Sequence, residues 1–448
     1  MKPFALCSLA LFASAPSWAQ DNPQAQAPGF LEGSHLDLNL RHYYSNQHTR
    51  RDTYLWIKKA EGLERTRTRQ TWVQTGMLKY SSGYTQGLVG FGVDAGLFSA
   101  VNLERGHGRV ANGGDRVLVD SAGDALPTWS RLGIGDVRLR LSNTELKAGR
   151  LMTDNPVLRY KDNRALPSSF QGVGLYSNET DWLAPQAGSF DRAIPRTGTG
   201  TERLTTTFGN RAYSGERISY LGATLKPGLG LEGSLYASRF ENMWDQYYLG
   251  LTQRAGDKSH LALKTAFNYY HTRDQGQQRL GYIANDAFSL ALTASHQAHG
   301  LTLAWQQVFG DEYFDYVWES TGNYMANSLY SDYNGPNEKS WQLRYDLDLA
   351  AFGVPGLSAS LWHAKGWNID GTHYRGDRNA RNRGYNVRGL DGAQHDENGL
   401  TLAYVVQSGR FKDAVLRTIV YNHRASGGQI DGSYDELRLV GNFPFNLF

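Results

Sequence analysis

Apolar and polar residues alternate with a period of two from one end of the chain to the other, and helical periodicity is absent. Leu36, Leu38, Leu40 and His42 alternate with Asp37, Asn39, Arg41 and Tyr43. Val89, Phe91, Val93, Ala95 and Leu97 alternate with Gly90, Gly92, Asp94 and Gly96, and Val137, Leu139 and Leu141 with Asp136, Arg138, Arg140 and Ser142. Further on, Phe288, Leu290, Leu292 and Ala294 lead into a turn at His296 to Gly300, after which Leu301, Leu303 and Trp305 resume the pattern. Trp341, Leu343, Tyr345, Leu347 and Leu349 precede the turn Gly353-Val354-Pro355-Gly356, and Leu357, Ala359 and Leu361 follow it. The spacing predicts antiparallel hairpins with one apolar face and short turns on one side.

On the other side the connections are long, polar and rich in Gly, Asn, Asp and Arg, as at 105–130, 153–173, 310–337 and 371–399. Short turns at one end and long loops at the other is the asymmetry of an outer-membrane β-barrel. Rings at strand ends, in His42-Tyr43-Tyr44, Tyr247-Tyr248, Tyr269-Tyr270 and Trp305, suit the half-wet girdles of such a wall. In hydrocarbon the sheet must close, because an open edge would leave backbone groups unpaired. The last strand holds Leu437, Leu439 and Phe443 and ends at Phe448; a C-terminal aromatic is typical of barrels and is what the barrel-assembly machinery is expected to read. Pro444 breaks the alternation just before it. Chain length divides into roughly 16 to 20 strands, which enclose a lumen rather than a packed core. No compositional break marks a separate plug.

The composition agrees: 50 Gly, 26 Tyr, 18 Phe and 11 Trp against 13 Pro, 5 Met and 1 Cys in 448 residues. After the N-terminus no apolar run is long enough for a membrane helix. Lys2, the apolar stretch Phe4 to Ala13 and the small-x-small site Ser17-Trp18-Ala19 form a secretory leader, so residues 1–19 are expected to be removed and 20–448 to form one transmembrane barrel. The single Cys7 falls inside that leader, which excludes thiolate metal sites and cysteine nucleophiles from the mature chain. A net charge of +3, from 46 basic and 43 acidic residues, gives no global field for nucleic acid.

Function must therefore lie in how charge is placed on the inward face. Arg41, Arg138, Arg140 and Arg344 fall on the polar parity of their strands, and Arg438 shares that phase against Leu437 and Leu439. A guanidinium facing lipid at mid-membrane costs about 2–4 kcal/mol, so these side chains are expected in the lumen. Arg417 lies on a strand apolar on both faces, which leaves its direction open. A column of guanidiniums offers successive bidentate sites to a carboxylate, each weak enough to let go. The alternative is that they only pair with inward Asp37, Asp136, Asp346, Asp348 and Glu436. Residues 153–173, with Arg159, Lys161, Arg164 and Pro167, are longer than a hairpin turn needs and are expected to fold inward as a constriction. Residues 371–399 carry Arg375, Arg378, Arg381, Arg383 and Arg388, and an extracellular loop that binds nothing is the stronger reading there.

Other signals carry less. Gly228-Leu-Gly230-Leu-Glu-Gly233 matches a dinucleotide fingerprint as a string but runs into a strand, with no helix to receive a pyrophosphate. His296 and His299 sit in a turn without a third ligand, and no G-x-S-x-G or H-E-x-x-H occurs. Neither a metal site nor a cofactor is expected, and no enzyme activity is supported.

Several segments resemble the OprD family of outer-membrane carboxylate channels. They are Leu38-Asn-Leu-Arg41-His-Tyr-Tyr44, Pro156-Val157, Arg164-Ala-Leu-Pro167, Asp311-Glu-Tyr-Phe-Asp315-Tyr316, Tyr330-Ser-Asp-Tyr-Asn-Gly-Pro336, Glu338-Lys-Ser-Trp341-Gln-Leu-Arg344 and Tyr404-Val-Val-Gln-Ser408. The match runs in order over almost the whole mature chain. The resemblance implies an 18-stranded barrel in the outer membrane, monomeric or loosely trimeric, with inward loops and an arginine ladder that guides small carboxylates. Carried over, the ladder is Arg41, Arg138, Arg140, Arg344, Arg417 and Arg438, with Arg164 at the constriction. Ile419 stands where members that take basic amino acids often have a second arginine, and Pro156-Val157-Leu158 points the same way, toward aromatic or other monocarboxylates. The expected function is passive uptake of small carboxylates, with a general diffusion porin as the alternative and an outer-membrane hydrolase or adhesin behind it.

Overall fold

The structure is a computed structural model, and it describes residues 23–59, 61–104, 116–120, 122–321, 324–377 and 384–448. The expected leader, residues 1–19, lies outside them. Eighteen strands form one closed antiparallel wall. In order they are His35–Arg50, Thr68–Ser81, Val89–Asn102, Thr128–Leu141, Thr144–Leu151, Ser169–Ser177, Leu183–Ile194, Ile218–Gly228, Leu231–Phe240, Trp244–Asp257, Leu261–Asp274, Ala284–His296, His299–Phe309, Lys339–Asp348, Leu357–Ile369, Ala393–Val405, Val415–Ala425 and Ser433–Asn446. Each strand pairs with its sequence neighbours, and the first pairs with the last from Asp37 opposite Asn446 to Arg50 opposite Ser433. No described helix is long and apolar enough to cross a membrane.

One end of the barrel is closed by tight turns such as Ser142-Asn143, Leu229-Gly230 and Gln297-Ala298, where Ser142, Leu229, Gly230 and Gln297 take positive φ as two-residue hairpins require. This is the periplasmic end. At the other end run the loops 152–168, 195–217, 310–338 and 370–392. The loop expected at 371–399 is shorter than read, because strand pairing already begins at Ala393. Pro444 does not end the last strand. Pairing with Val415–Ala425 stops at Asn442, so Pro444 sits where the strand has a neighbour on one side only and a missing N–H is tolerated.

Leucine and valine side chains on the outer parity, such as Leu139, Leu221, Leu292, Leu303 and Leu361, stay exposed to lipid. The aromatic pairs correct the girdle expectation. Successive residues face opposite sides, so Tyr247 and Trp305 point outward while Tyr43, Tyr248 and Tyr270 are buried inside the barrel. There Tyr248 and Tyr270 meet the long loops in an apolar core that includes Leu158, Phe190, Phe240, Phe314 and Tyr385, and Tyr43 packs in a second one with Phe98, Trp129 and Leu166. The expectation of a lumen without a packed core therefore holds only below the loops. Gly222 makes one such approach possible: a Cβ there would lie 2.2 Å from the Tyr236 ring on the neighbouring strand.

Candidate functional site

Strand register settles which arginines face the lumen. Opposed residues on paired strands share a face. Arg41 opposes Thr75 and Asn442, Arg438 opposes Ser45 and Ile419, and Arg417 opposes Ala403 and Val440. Arg138 opposes Gly92 and Lys147, and Arg140 opposes Gly90 and Glu145. All five are on the inner face, and closure brings them onto one arc of wall running from Val415–Ala425 through the seam to Thr128–Leu141. Lys79, opposite Asp37, lies on the same arc, and Lys147 on the strand just beyond its end. Arg344 also faces inward, opposite Thr302 and Trp362, but on a strand away from this arc.

The arginines differ in what holds them. Arg41 grips Asp162 of the 152–168 loop through Nη1 and Nη2 at 2.5 and 3.0 Å, donates Nε to Asn442 at 2.7 Å, and reaches the Arg164 carbonyl at 2.9 Å. It is buried and acts as a strut for the loop. Arg438 is likewise enclosed, bonded to Glu436 at 2.7 Å and to the Tyr421 hydroxyl at 2.7 Å. Arg138 pairs with Asp94 at 3.3 Å and donates to the Ser82 carbonyl at 2.6 Å. Arg140 donates to Gln24 at 2.7 Å and lies 4.0 Å from the Tyr84 ring centre. Arg344 pairs with Asp346 at 2.7 Å, and Arg417 is exposed to the lumen. Two of the inward acids considered in sequence, Asp346 and Glu436, thus do neutralise arginines.

The 152–168 loop folds inward as expected, and the 310–338 loop meets it across the lumen. Tyr160 and Ser320 form a backbone bridge, Thr321 N–H donates to the Arg159 carbonyl at 2.8 Å, and Ser168 Oγ donates to the Glu319 carbonyl at 2.7 Å. Arg164 sits half-buried at this crossing, its Nη1 donating to the Asn163 carbonyl at 3.1 Å. Exposed charges of both signs rim it: Asp154 and Arg159, paired at 2.9 Å, and the Asp162 carboxylate. The alternating-parity argument missed three buried arginines. Arg131 is turned inward by the bulge at Gly96 and Leu97, with Gly133 the extra residue on the partner strand, so counting from Arg138 puts it on the wrong face. It donates to the Pro167 and Pro195 carbonyls. Arg116 and Arg196 come from loops and pair with Glu436 and Glu319 at 2.9 and 2.8 Å. Of the second charged loop, Arg378, Arg381 and Arg383 lie outside the described residues, and Arg375 stacks on Tyr282.

Glu312 anchors the start of the 310–338 loop by accepting from Ala284 N–H at 2.8 Å, and burial pushes its carboxyl up to about 7. A raised carboxyl holds its proton more tightly when the loop is docked than when it is not. Docking therefore loses stability as pH rises from the ordinary 4.5 to about 7 and is level above that. Loop fluctuations in single-channel recordings should grow over this window, and Glu312→Gln should flatten the dependence; equal pH dependence in both proteins would refute it.

A family model described as "outer membrane porin, OprD family" matches residues 28–447. The chain is 37% identical over 447 residues to Porin D of Pseudomonas aeruginosa, covering 97% of this chain and 96% of that protein. Porin-like protein GalP of Pseudomonas putida is 29% identical, with 95% of each chain covered. Among solved structures, Pseudomonas aeruginosa OccD3 (OpdP) superposes with a TM-score of 0.83 at 49% identity, over 95% of this chain and 94% of that one. Pseudomonas aeruginosa OpdK, solved with vanillate, gives 0.81 at 28% identity, over 93% of this chain and all of that one.

Proposed function

This chain belongs to the OprD family of outer-membrane porins, and from that premise we propose that it passes small carboxylate-bearing solutes down their concentration gradient along the arginine wall. The observation that carries the reading is the arc of inward guanidiniums: Arg417, Arg438, Arg41, Arg138 and Arg140, with Arg164 on the loop that crosses the lumen and Arg344 on the far wall. Arg41 and Arg438 are saturated by protein carboxylates and set the shape of the path and its positive field. Arg140, Arg164, Arg344 and Arg417 are the ones a solute carboxylate meets, because each keeps part of its guanidinium toward water. Asp346 returns Arg344 to a neutral pair after the solute leaves, and Asp94 does the same for the neighbouring Arg138, which keeps these sites weak.

The preference for aromatic acids loses its support from Pro156-Val157-Leu158. Val157 and Leu158 are 2% and 0% exposed in the loop core, where they cannot touch a passing ring. The identity of 49% to OccD3 against 28% to the vanillate-bound OpdK weighs the same way. The solute class is therefore small carboxylates with no ring required. The loops packed into the barrel weigh against a general diffusion pore. Every residue of the arginine wall comes from one chain, which supports the monomer as the transporting unit whether or not barrels associate loosely. Phe448 is exposed at the periplasmic rim, where the assembly machinery would read it after the leader, residues 1–19, is removed.

The test is uptake into liposomes holding the refolded protein, with benzoate-like acids, short aliphatic acids, basic amino acids and neutral sugars of matched size. Carboxylates should enter faster than sugars of equal size. Sieving by size alone would mean a general porin.

A further inference from the structure

Two histidines that no sequence motif links meet at the extracellular end of the barrel. His395 opens the strand Ala393–Val405 and His423 comes near the end of Val415–Ala425, both buried on the inner face. The outer nitrogen of each ring is committed. His395 Nε2 lies 2.6 Å from Glu338 Oε1, and His423 Nδ1 lies 2.5 Å from the Gly432 carbonyl. A carbonyl oxygen only accepts, so His423 carries its proton on Nδ1; the Glu338 carboxylate, whose other oxygen accepts from Gly335 N–H at 2.7 Å, holds the His395 proton on Nε2. His395 Nδ1 and His423 Nε2 then face each other 2.7 Å apart, so that with both rings neutral two lone pairs meet.

Two facing lone pairs repel unless something positive stands between them. Asp431, half-exposed in the turn above, brings a carboxylate oxygen to within 4.8 Å of a nitrogen of each ring. The Gln429 amide nitrogen reaches to 3.4 Å from His395 Nδ1 and 3.3 Å from Asp431 Oδ2, placing a donor beside this same spot. We infer that His395, His423 and Asp431 bind a divalent transition-metal ion of the zinc class, with Glu338 and the Gly432 carbonyl orienting the two imidazoles from behind.

Two imidazoles and one carboxylate suit zinc, copper or nickel, whereas calcium and magnesium take oxygen ligands throughout. The carboxylate–histidine–metal relay at Glu338 is the usual second layer of such sites; it fixes the tautomer and raises ligand basicity. Tetrahedral zinc at about 2.0–2.1 Å from each nitrogen would hold them about 3.3 Å apart, a small opening of the present pair. A bound ion would join the 426–432 turn to the wall strand of His395, and through Glu338 to the end of the 310–338 loop.

The experiment titrates zinc ion alone into the metal-stripped, refolded full chain in detergent by calorimetry, and repeats it with cobalt ion followed by visible absorption. One ion per chain is expected, with a cobalt spectrum of low coordination number and nitrogen ligands. Asp431→Asn and His423→Ala should each weaken binding at least tenfold, and Glu338→Gln by about 10–100-fold. The Asp431 variant alters an exposed turn and keeps the test alive should His423→Ala fail to fold. Absence of saturable binding by the unaltered protein would leave a shared proton between the rings and overturn the site. Binding that survives both ligand substitutions would overturn it too, and loss with His423→Ala alone would overturn the three-ligand assignment.

Discussion

Glu436→Gln is expected to release the segment at Arg116 from the barrel wall and to lower the heat stability of the folded protein, with a cost of about 3–5 kcal/mol for breaking a buried ion pair. Glu436 has no exposed side-chain surface and accepts from Arg116 at 2.9 and 3.2 Å, Arg438 at 2.7 and 3.3 Å, Ser45 Oγ at 2.6 Å and the Tyr421 hydroxyl at 2.5 Å. One carboxylate thus pairs with both buried guanidiniums. An amide of the same shape removes the charge and turns an NH2 group toward donors. Arg438 retains the rings of Tyr330 and Tyr421 at 4.7 and 5.3 Å, whereas Arg116 is left with the Ser45 hydroxyl at 2.7 Å, so it is Arg116 that leaves. The measurement is trypsin cleavage after Arg116 in detergent, together with the temperature at which the folded band is lost on gels. Arg116→Gln is the control: it frees the same segment but leaves Glu436 and Arg438 paired, so its loss of heat stability should be much smaller. Equal behaviour of Glu436→Gln and the unaltered protein would refute the argument.

The wall was legible in the sequence because alternation is a local property. Val137 and Leu139 against Arg138 and Arg140 need only the pleat and the expense of a charge in lipid, and register then confirmed the inner face for Arg41, Arg344 and Arg438. The open direction of Arg417 was closed by the same register, through Ile419 and Tyr421 on its parity, both buried inside. What alternation cannot carry is a shift of phase, and the bulge beside Gly133 hid Arg131 for that reason. Loop docking was illegible for another reason. Asp162, Glu319 and Glu312 find Arg41, Arg196 and Ala284 across long stretches of chain, and no short-range pattern encodes such encounters. Tyr43 and Tyr44 read as one interfacial pair, yet the pleat sends one ring into the loops and the other to lipid. His395 and His423 meet because the antiparallel register of two consecutive strands sets them diagonally across one pair, a placement that no local sequence pattern encodes.

Replacing Arg138 and Arg140 together by alanine is expected to lower carboxylate flux about tenfold while leaving the barrel folded. Near the periplasmic end the inner face of neighbouring strands carries Arg138, Arg140 and Lys147 against Asp94, Asp136 and Glu145. The formal balance is three against three, and in the double variant it becomes one against three. A monoanion passing about 5 Å from each lost charge forfeits about 1–3 kcal/mol per site between the dielectric of water and that of a protein surface, and about 1.4 kcal/mol in total is already tenfold. The strand ladder is kept because neither guanidinium donates to a ladder carbonyl: Arg140 is half-buried and bonds Gln24, and Arg138, buried and paired with Asp94 at 3.3 Å, donates to the Ser82 carbonyl, so losing the Arg138–Asp94 pair lowers heat stability without opening the wall. Neutral sugars should pass at least as fast, since the lumen widens, so the ratio of carboxylate to sugar flux isolates the charge. The effect should shrink at high salt, as the Debye length falls from about 10 Å at 0.1 M to about 3 Å at 1 M. Arg138→Lys with Arg140→Lys separates field from geometry. Two ammonium groups keep the charge but lose the planar fork, so full recovery of the ratio would assign the arginines to a general positive field and partial recovery to bidentate contact. An unchanged ratio in the double alanine variant, at low salt, would remove the arginine wall from the transport mechanism.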